Sequence, residues 1–273
     1  MVHTQQLPCT IDAGLGQVAK IGLIVLQTDQ TIEYEFNKLL AVTGVVCYHC
    51  RIPNDAVVTA GTLAKMAADL PTAAELLPSQ FNFDAIGYAC TSGATIIGEN
   101  TVARAIQNHH PNAGVSNPLT ACKAAFKALG LQKIALLTPY TPAVTQALND
   151  ELSASGLSVT SIGYFNLEDD LQVGRVSSES IYTAIISMGE DPECDGIFVS
   201  CTSLRVAEVI ERAEKTLGKA VVSSNQALAW HLLQLASVNQ MPQGYGRLFD
   251  QTLHSDPTSR PGSTLNAYRK NKK

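Results

Sequence analysis

The chain of 273 residues contains no apolar stretch approaching the ~18 residues that a membrane-spanning helix needs. Its opening residues, MVHTQQLPCTIDAG, lack a basic region followed by an apolar run, so no signal peptide is expected and the chain reads as cytoplasmic. Basic charge is scarce. With 19 Lys and Arg against 24 Asp and Glu, the formal net charge of −5 argues against a nucleic-acid partner, which would need a basic face. There is no glycine-rich phosphate loop, no dinucleotide fingerprint and no HExxH pair. Seven cysteines, an odd number spread thinly, do not make a disulfide framework. Each thiol must then be packing, a metal ligand or a reagent.

What the sequence does have is apolar material, 45% of all residues, distributed in an alternating pattern. Short β-branched runs at 20–25, 45–49, 85–89, 133–137, 159–164, 196–200 and 220–223 read as strands. Amphipathic stretches at 31–40, 59–70, 119–129, 143–155, 181–188 and 207–217 separate them and read as helices. Strands alternating with helices imply an α/β fold built on parallel sheets covered on both faces.

The two halves repeat each other. Asp84-Ala85-Ile86 leads to Cys90-Thr91-Ser92, and Asp195-Gly196-Ile197 leads at the same spacing to Cys201-Thr202-Ser203. Lys20-Ile21-Gly22-Leu23 pairs with Lys133-Ile134-Ala135-Leu136, and Val115-Ser116-Asn117 with Val222-Ser223-Ser224-Asn225. The three offsets nearly coincide, at a period too long for a solenoid, so two pseudo-symmetric α/β lobes are expected, with the active site in the cleft between them. The first lobe's last strand should end near Ser116, and the next helix should cross to the second lobe. The helix at 226–235 should cross back. This gives a first lobe of 1–118 plus 225–273 and a second of 119–224. Residues from Ser237 onward, polar and ending in RKNKK, read as a loosely held tail.

Ligands of open α/β sheets sit beyond the carboxyl ends of the strands. Cys90 and Cys201 each come after a strand and before a helix pattern, which predicts a place beside a helix N-terminus. Backbone N–H groups there bind carboxylates and lower a thiol's pKa. Across a cleft, one thiolate can take a proton from, or attack, a carbon while the opposite thiol delivers a proton. Buried structural cysteines are the ordinary alternative, but doubling of Cys-Thr-Ser at matched positions favours function. Cys47-Tyr48-His49-Cys50 has CxxC spacing without a second CxxC and reads as core or surface thiols. Cys9, Cys122 and Cys194 read as structural, His109-His110 as a solvated loop, and His231 beside Trp230 as a packing or capping residue.

These features together resemble the aspartate/glutamate racemase superfamily, in its branch of maleate cis-trans isomerases and arylmalonate decarboxylases. The resemblance runs to about Ala236. It is carried by the cysteine pair, Ile21-Gly22-Leu23-Ile24-Val25, Thr138-Pro139-Tyr140, Val173-Gly174-Arg175-Val176, and Val221-Val222-Ser223-Ser224-Asn225-Gln226-Ala227 with Trp230. It implies chemistry without cofactor or metal on a small carboxylate, with Cys90 as nucleophile and Cys201 as acid. Thr91, Ser92, Tyr140 and the backbone at Thr202 would hold the carboxylate. A cysteine at both places resembles an isomerase or racemase more than a decarboxylase, where only the second is kept. Family habit implies a homo-oligomer. Where maleate isomerases carry two asparagines for the second carboxylate, this chain has Asp29 and Asp170. That substitution implies a substrate bearing an ammonium, amide or hydroxyl there, such as an amino acid or N-acyl amino acid. A two-lobed protein that binds a small acid without turnover is the alternative from another class.

Overall fold

The computed structural model describes residues 2–253. The first half runs β1 (Ala19–Leu26), α1 (Ile32–Leu39), β2 (Val45–Ile52), α2 (Ala60–Glu75), β3 (Ala85–Ala89), α3 (Thr91–Ile97), α4 (Glu99–Gln107) and β4 (Gly114–Ser116). The second runs α5 (Pro118–Leu129), β5 (Lys133–Thr138), α6 (Pro142–Ala154), β6 (Ser158–Tyr164), α7 (Asp170–Val173), α8 (Ser178–Gly189), β7 (Gly196–Val199), α9 (Ala207–Leu217), β8 (Ala220–Ser223) and α10 (Ser224–Leu235). All these strands pair in parallel, in two four-stranded sheets of order β2-β1-β3-β4 and β6-β5-β7-β8. The second order is the first advanced by four strands, so the sequence repeat is a repeat of topology. Central strands β1, β3, β5 and β7 are almost wholly buried, which is why they read as unbroken apolar runs rather than alternating ones.

Helices α5 and α10 join the sheets. Asn117 caps α5 by accepting the Thr120 N–H at 3.0 Å, Pro118 supplies a first-turn residue needing no donor, and Gly130 at φ +70° stops it. Though α5 comes after β4 of the first sheet, its Phe126 stacks edge-on against Phe198 of β7, centroids 5.4 Å apart. Helix α10 comes after β8 of the second sheet, yet its Leu228 and Leu232 come up against Gly87 of β3 in the first. Ser223 and Gln226 start α10 with a reciprocal capping box.

Three expectations are corrected. The helix pattern stops at Leu70, before Pro71, but α2 continues to Glu75; burial of Leu70, Ala73 and Ala74 offsets the lost backbone bond. His110 is not solvated: its Nε2 lies 2.9 Å from the Ala74 carbonyl at the end of α2, and its ring meets Phe83 edge-on. The segment from Ser237 is docked, at least to Leu253. Leu248 and Phe249 are buried, the Trp230 Nε1–H donates to the Gln251 carbonyl at 3.0 Å, and Gln226 donates to the Tyr245 carbonyl. A tail with few apolar residues reads as loose because its anchors are met by side chains of α10 rather than by a periodic face of its own. The terminal RKNKK lies outside the described residues. Helix α3 is the one expected after Cys90, whereas α4 and α7 have no counterpart in the sequence pattern.

Candidate active site

Cys90 comes after β3 and Cys201 after β7, the matched strand of each sheet. Both line one narrow cleft, together with Thr91, Ser92, Tyr140, Asp170, Thr202 and Ser203. Its outer wall is Leu26, Asn54, Asp55, Val58, Thr62, Leu63 and Met66. The structure thus brings together every expected site residue except Asp29.

The two thiols are held differently. Cys90 is the N-cap of α3, its Sγ accepting the Gly93 N–H at 3.1 Å with the Ser92 hydroxyl 3.7 Å away. Gly93 is a close-approach position: an added Cβ would lie 2.4 Å from the Tyr88 hydroxyl and 2.9 Å from the Cys90 sulfur. Cys201 is not at a helix N-terminus, contrary to expectation. A turn separates it from α9, which starts only at Ala207. Its φ of +140° is unusual for a residue with a side chain and costs about 1–3 kcal/mol. Its Sγ accepts the Ser203 N–H at 3.4 Å.

Neither thiol has the lowered pKa expected of a helix terminus. Burial pushes Cys90 up to about 11, opposed by the Gly93 N–H and the Ser92 hydroxyl. Burial pushes Cys201 up further, with the Asp170 charge adding to it. Desolvation outweighs the local donors, so in the closed cleft both rest as neutral thiols. Tyr140 is buried beside them, its own pKa well above the ordinary phenol value through burial and then the nearness of both sulfurs.

Hydroxyls dominate the rest. Thr91 Oγ1 and Ser224 Oγ are 2.8 Å apart, and Ser224 Oγ accepts the Cys201 N–H at 3.0 Å. With Ser224 donating to Thr91, the Thr91 proton is left for a ligand. Thr202 Oγ1 donates to the Ala89 carbonyl at 3.3 Å, tying the second thiol's loop to the first thiol's strand. Asp170 accepts from Ser203 Oγ at 2.9 Å and from Thr28 Oγ1. Thr28 in turn accepts from Asn54 Nδ2 at 2.8 Å. Asp29 is placed apart. Its Oδ1 caps α1, accepting the N–H groups of Thr31 and Ile32 at 2.7 and 2.8 Å, and it does not line the cleft. Burial raises its pKa against those two N–H bonds.

Sequence reading misses Ser203, Asn54, Thr28, Tyr88 and Ser224. Ser203 is within its reach as the third member of the repeated Cys-Thr-Ser. Asn54 stands two residues past β2, where the strand-end rule points. Thr28 and Ser224 carry no separate signal. Cys47 and Cys50 face opposite sides of β2, three residues apart, so they cannot share an ion. Cys50 donates to the Ala73 carbonyl at 3.1 Å, and Cys122 and Cys194 likewise reach backbone carbonyls. Cys9 is exposed rather than structural. Among the described residues no three His, Cys, Asp or Glu side chains converge on a metal position. Nor, among them, is any helix long and apolar enough to cross a membrane.

The fold is one of two matched parallel sheets with a cysteine beyond one central strand of each, β3 and β7. Residues 105–249 match the family model described as arylmalonate decarboxylase. The chain belongs to that family. Over 135 residues it is 32% identical to the arylmalonate decarboxylase of Bordetella bronchiseptica, a stretch covering 49% of this chain and 56% of that protein, little more than half its length. Over 248 residues it is 25% identical to the maleate isomerase of Nocardia farcinica, covering 86% of this chain and 96% of that one. A solved structure of the Nocardia farcinica maleate cis-trans isomerase, a cysteine-to-serine variant with a covalently bound succinylcysteine intermediate, superposes with a TM-score of 0.78. That alignment is 24% identical and covers 85% of this chain and 98% of the other, and it shows the shared two-lobed fold.

Proposed function

We propose that this family member is a cofactor-independent isomerase acting at the α-carbon of a small carboxylate through Cys90 and Cys201. The observation that carries this reading is the convergence of two matched thiols in one cleft lined by hydroxyl donors. The curated isomerase relative, aligned over most of both chains, supports it.

The site residues take these roles. Thr91, Ser92 and Tyr140, with Thr202 beside them, hold the substrate carboxylate and stabilise the enediolate that forms as the α-carbon flattens. Cys90 is the more easily ionised thiol, since the Gly93 N–H and Ser92 stabilise its anion. As thiolate it takes the α-hydrogen, or adds to an unsaturated carbon. Cys201, held more firmly protonated beside Asp170, delivers its proton to the opposite face. After a racemisation cycle Cys90 is the thiol and Cys201 the thiolate, which readies the site for the reverse direction.

The finer reading is a racemase of an amino acid or N-acyl amino acid. Asp55 and Asp170 line the cleft, and among the described residues no Lys, Arg or His does. A second substrate carboxylate 4 Å from either would meet a repulsion of about 4 kcal/mol at an effective dielectric of 20. An ammonium, amide or hydroxyl meets none. Asp29 enters only indirectly, through the start of α1.

The test is exchange of the substrate α-hydrogen in D2O, monitored by NMR across amino acids and their N-acyl derivatives. We expect exchange in the wild type and a loss of at least about 10³-fold in Cys90→Ala and Cys201→Ala. Exchange surviving in one variant would replace the two-thiol mechanism by a single-base one. Binding without exchange would favour a two-lobed binding protein. The 32% identity to a decarboxylase supports a second reading, which CO2 release from a substituted malonate would distinguish.

A further inference from the structure

The backbone around Cys201 is pinned at three consecutive residues by three side chains. The Cys201 N–H donates to Ser224 Oγ at 3.0 Å, Asn225 Nδ2 donates to the Thr202 carbonyl at 2.8 Å, and Thr31 Oγ1 donates to the Ser203 carbonyl at 2.8 Å. Ser224 and Asn225 begin α10, while Thr31 begins α1 on the other sheet's side. Behind Asn225 stands Glu35, fully buried in α1. One of its carboxylate oxygens accepts the other contact of Asn225 Nδ2 at 2.8 Å, and the second accepts the Ala207 N–H at 2.8 Å. These two contacts set the amide orientation of Asn225. Both its neighbours are acceptors, so Nδ2 must face them, and Oδ1 is left buried without a partner. An unpaired buried oxygen is costly to keep. It is explained if the orientation of Nδ2 is what the site requires.

We propose that Glu35 and Asn225 are positioning residues for the acid of the reaction. Glu35 dictates which way the Asn225 amide points, and the amide holds the Thr202 carbonyl so that the positive-φ peptide at Cys201 presents its thiol to the cleft. Neither side chain lines the cleft, so neither touches substrate. The inference rests on the two-cysteine reading for its catalytic meaning but not for its geometry.

The experiment compares three full-length variants, Asn225→Ala, Glu35→Gln and the double Glu35→Gln/Asn225→Asp. The readouts are kcat, KM, melting temperature and the ratio of iodoacetamide labelling at Cys201 to that at Cys90 by mass spectrometry. Asn225→Ala and Glu35→Gln should lower kcat about tenfold or more with KM changed less than about threefold, and should shift the labelling ratio at least about threefold. The double variant restores a donor–acceptor pair, since the Gln amide can donate to the Asp oxygen. It should not recover kcat, because Asp offers the Thr202 carbonyl no donor. Recovery of kcat together with melting temperature would overturn the proposal and leave a purely structural pair. An unchanged labelling ratio in folded Asn225→Ala would do the same. Should Glu35→Gln fail to fold, Asn225→Ala decides alone, since there Glu35 keeps its bond to Ala207. If the wild type exchanges no α-hydrogen, the reaction reading fails, while the labelling ratio still decides the clamp.

Discussion

At Gly93 the absence of a side chain is what lets the Cys90 sulfur reach a backbone N–H while the Tyr88 hydroxyl passes alongside. Gly93→Ala should therefore displace the thiol, costing about 1–3 kcal/mol of stability by urea unfolding and at least about tenfold in turnover. The ionisation of Cys90 gives a second prediction at this scale. A thiol pushed up to about 11 alkylates slowly at neutral pH, because only the thiolate reacts. Its iodoacetamide rate in the unliganded protein should keep rising about tenfold per pH unit past pH 9, instead of levelling near the ordinary thiol value of about 8.5. A plateau at pH 8–9 would mean the cleft is open and wet. Glu35, raised by burial to about 7, bears instead on folding. Its folded-state pKa exceeds the unfolded one, so the stability it contributes is complete below about pH 4.5 and lost as pH rises to about 7. Glu35→Gln should flatten that part of the pH–stability curve.

At the scale of elements, the repeat holds in strand order and breaks just beyond the catalytic strands. After β3 the chain enters α3 at once, whereas after β7 it makes a turn before α9. Matched Cys-Thr-Ser triplets hide that difference, because identical residues invite the assumption of identical backbone. The parallel strands and long helices are legible from apolar runs and from caps such as Asn117-Pro118 and Gly130. The contacts of Thr28, Ser224 and Glu35 are not, since each pairs residues more than a hundred positions apart. Of the described residues, we assign those up to 118 and from 225 onward to one lobe and 119–224 to the other, taking α5 and α10 as the exchanged helices. The N-caps of these helices can be tested. Asn117→Ala should lower stability by about 1 kcal/mol in chemical denaturation, while turnover stays within about twofold of wild type.

For the molecule as a whole, the docked segment 237–253 closes over α10. Truncation after Ala236 would uncover Trp230 and remove Leu248 and Phe249 from the core. Burial of about 2 kcal/mol for each of those two side chains predicts a melting temperature lower by about ten degrees or more in calorimetry. The chain passes from sheet to sheet at Asn117 and at Ser224, and the segment past α10 reaches back to the second half, where the Arg247 N–H donates to Glu214 at 2.9 Å. The two halves are also tied beside the cleft, by the bridge of Val57 to Asp169 and by the Asp170 N–H donating to the Ala56 carbonyl at 2.9 Å. Ser224, at one of the crossings, is hydrogen-bonded to Thr91 and to the Cys201 peptide. Any parting of the two halves would therefore break hydrogen bonds at the Cys201 peptide as well as along the wall of the cleft.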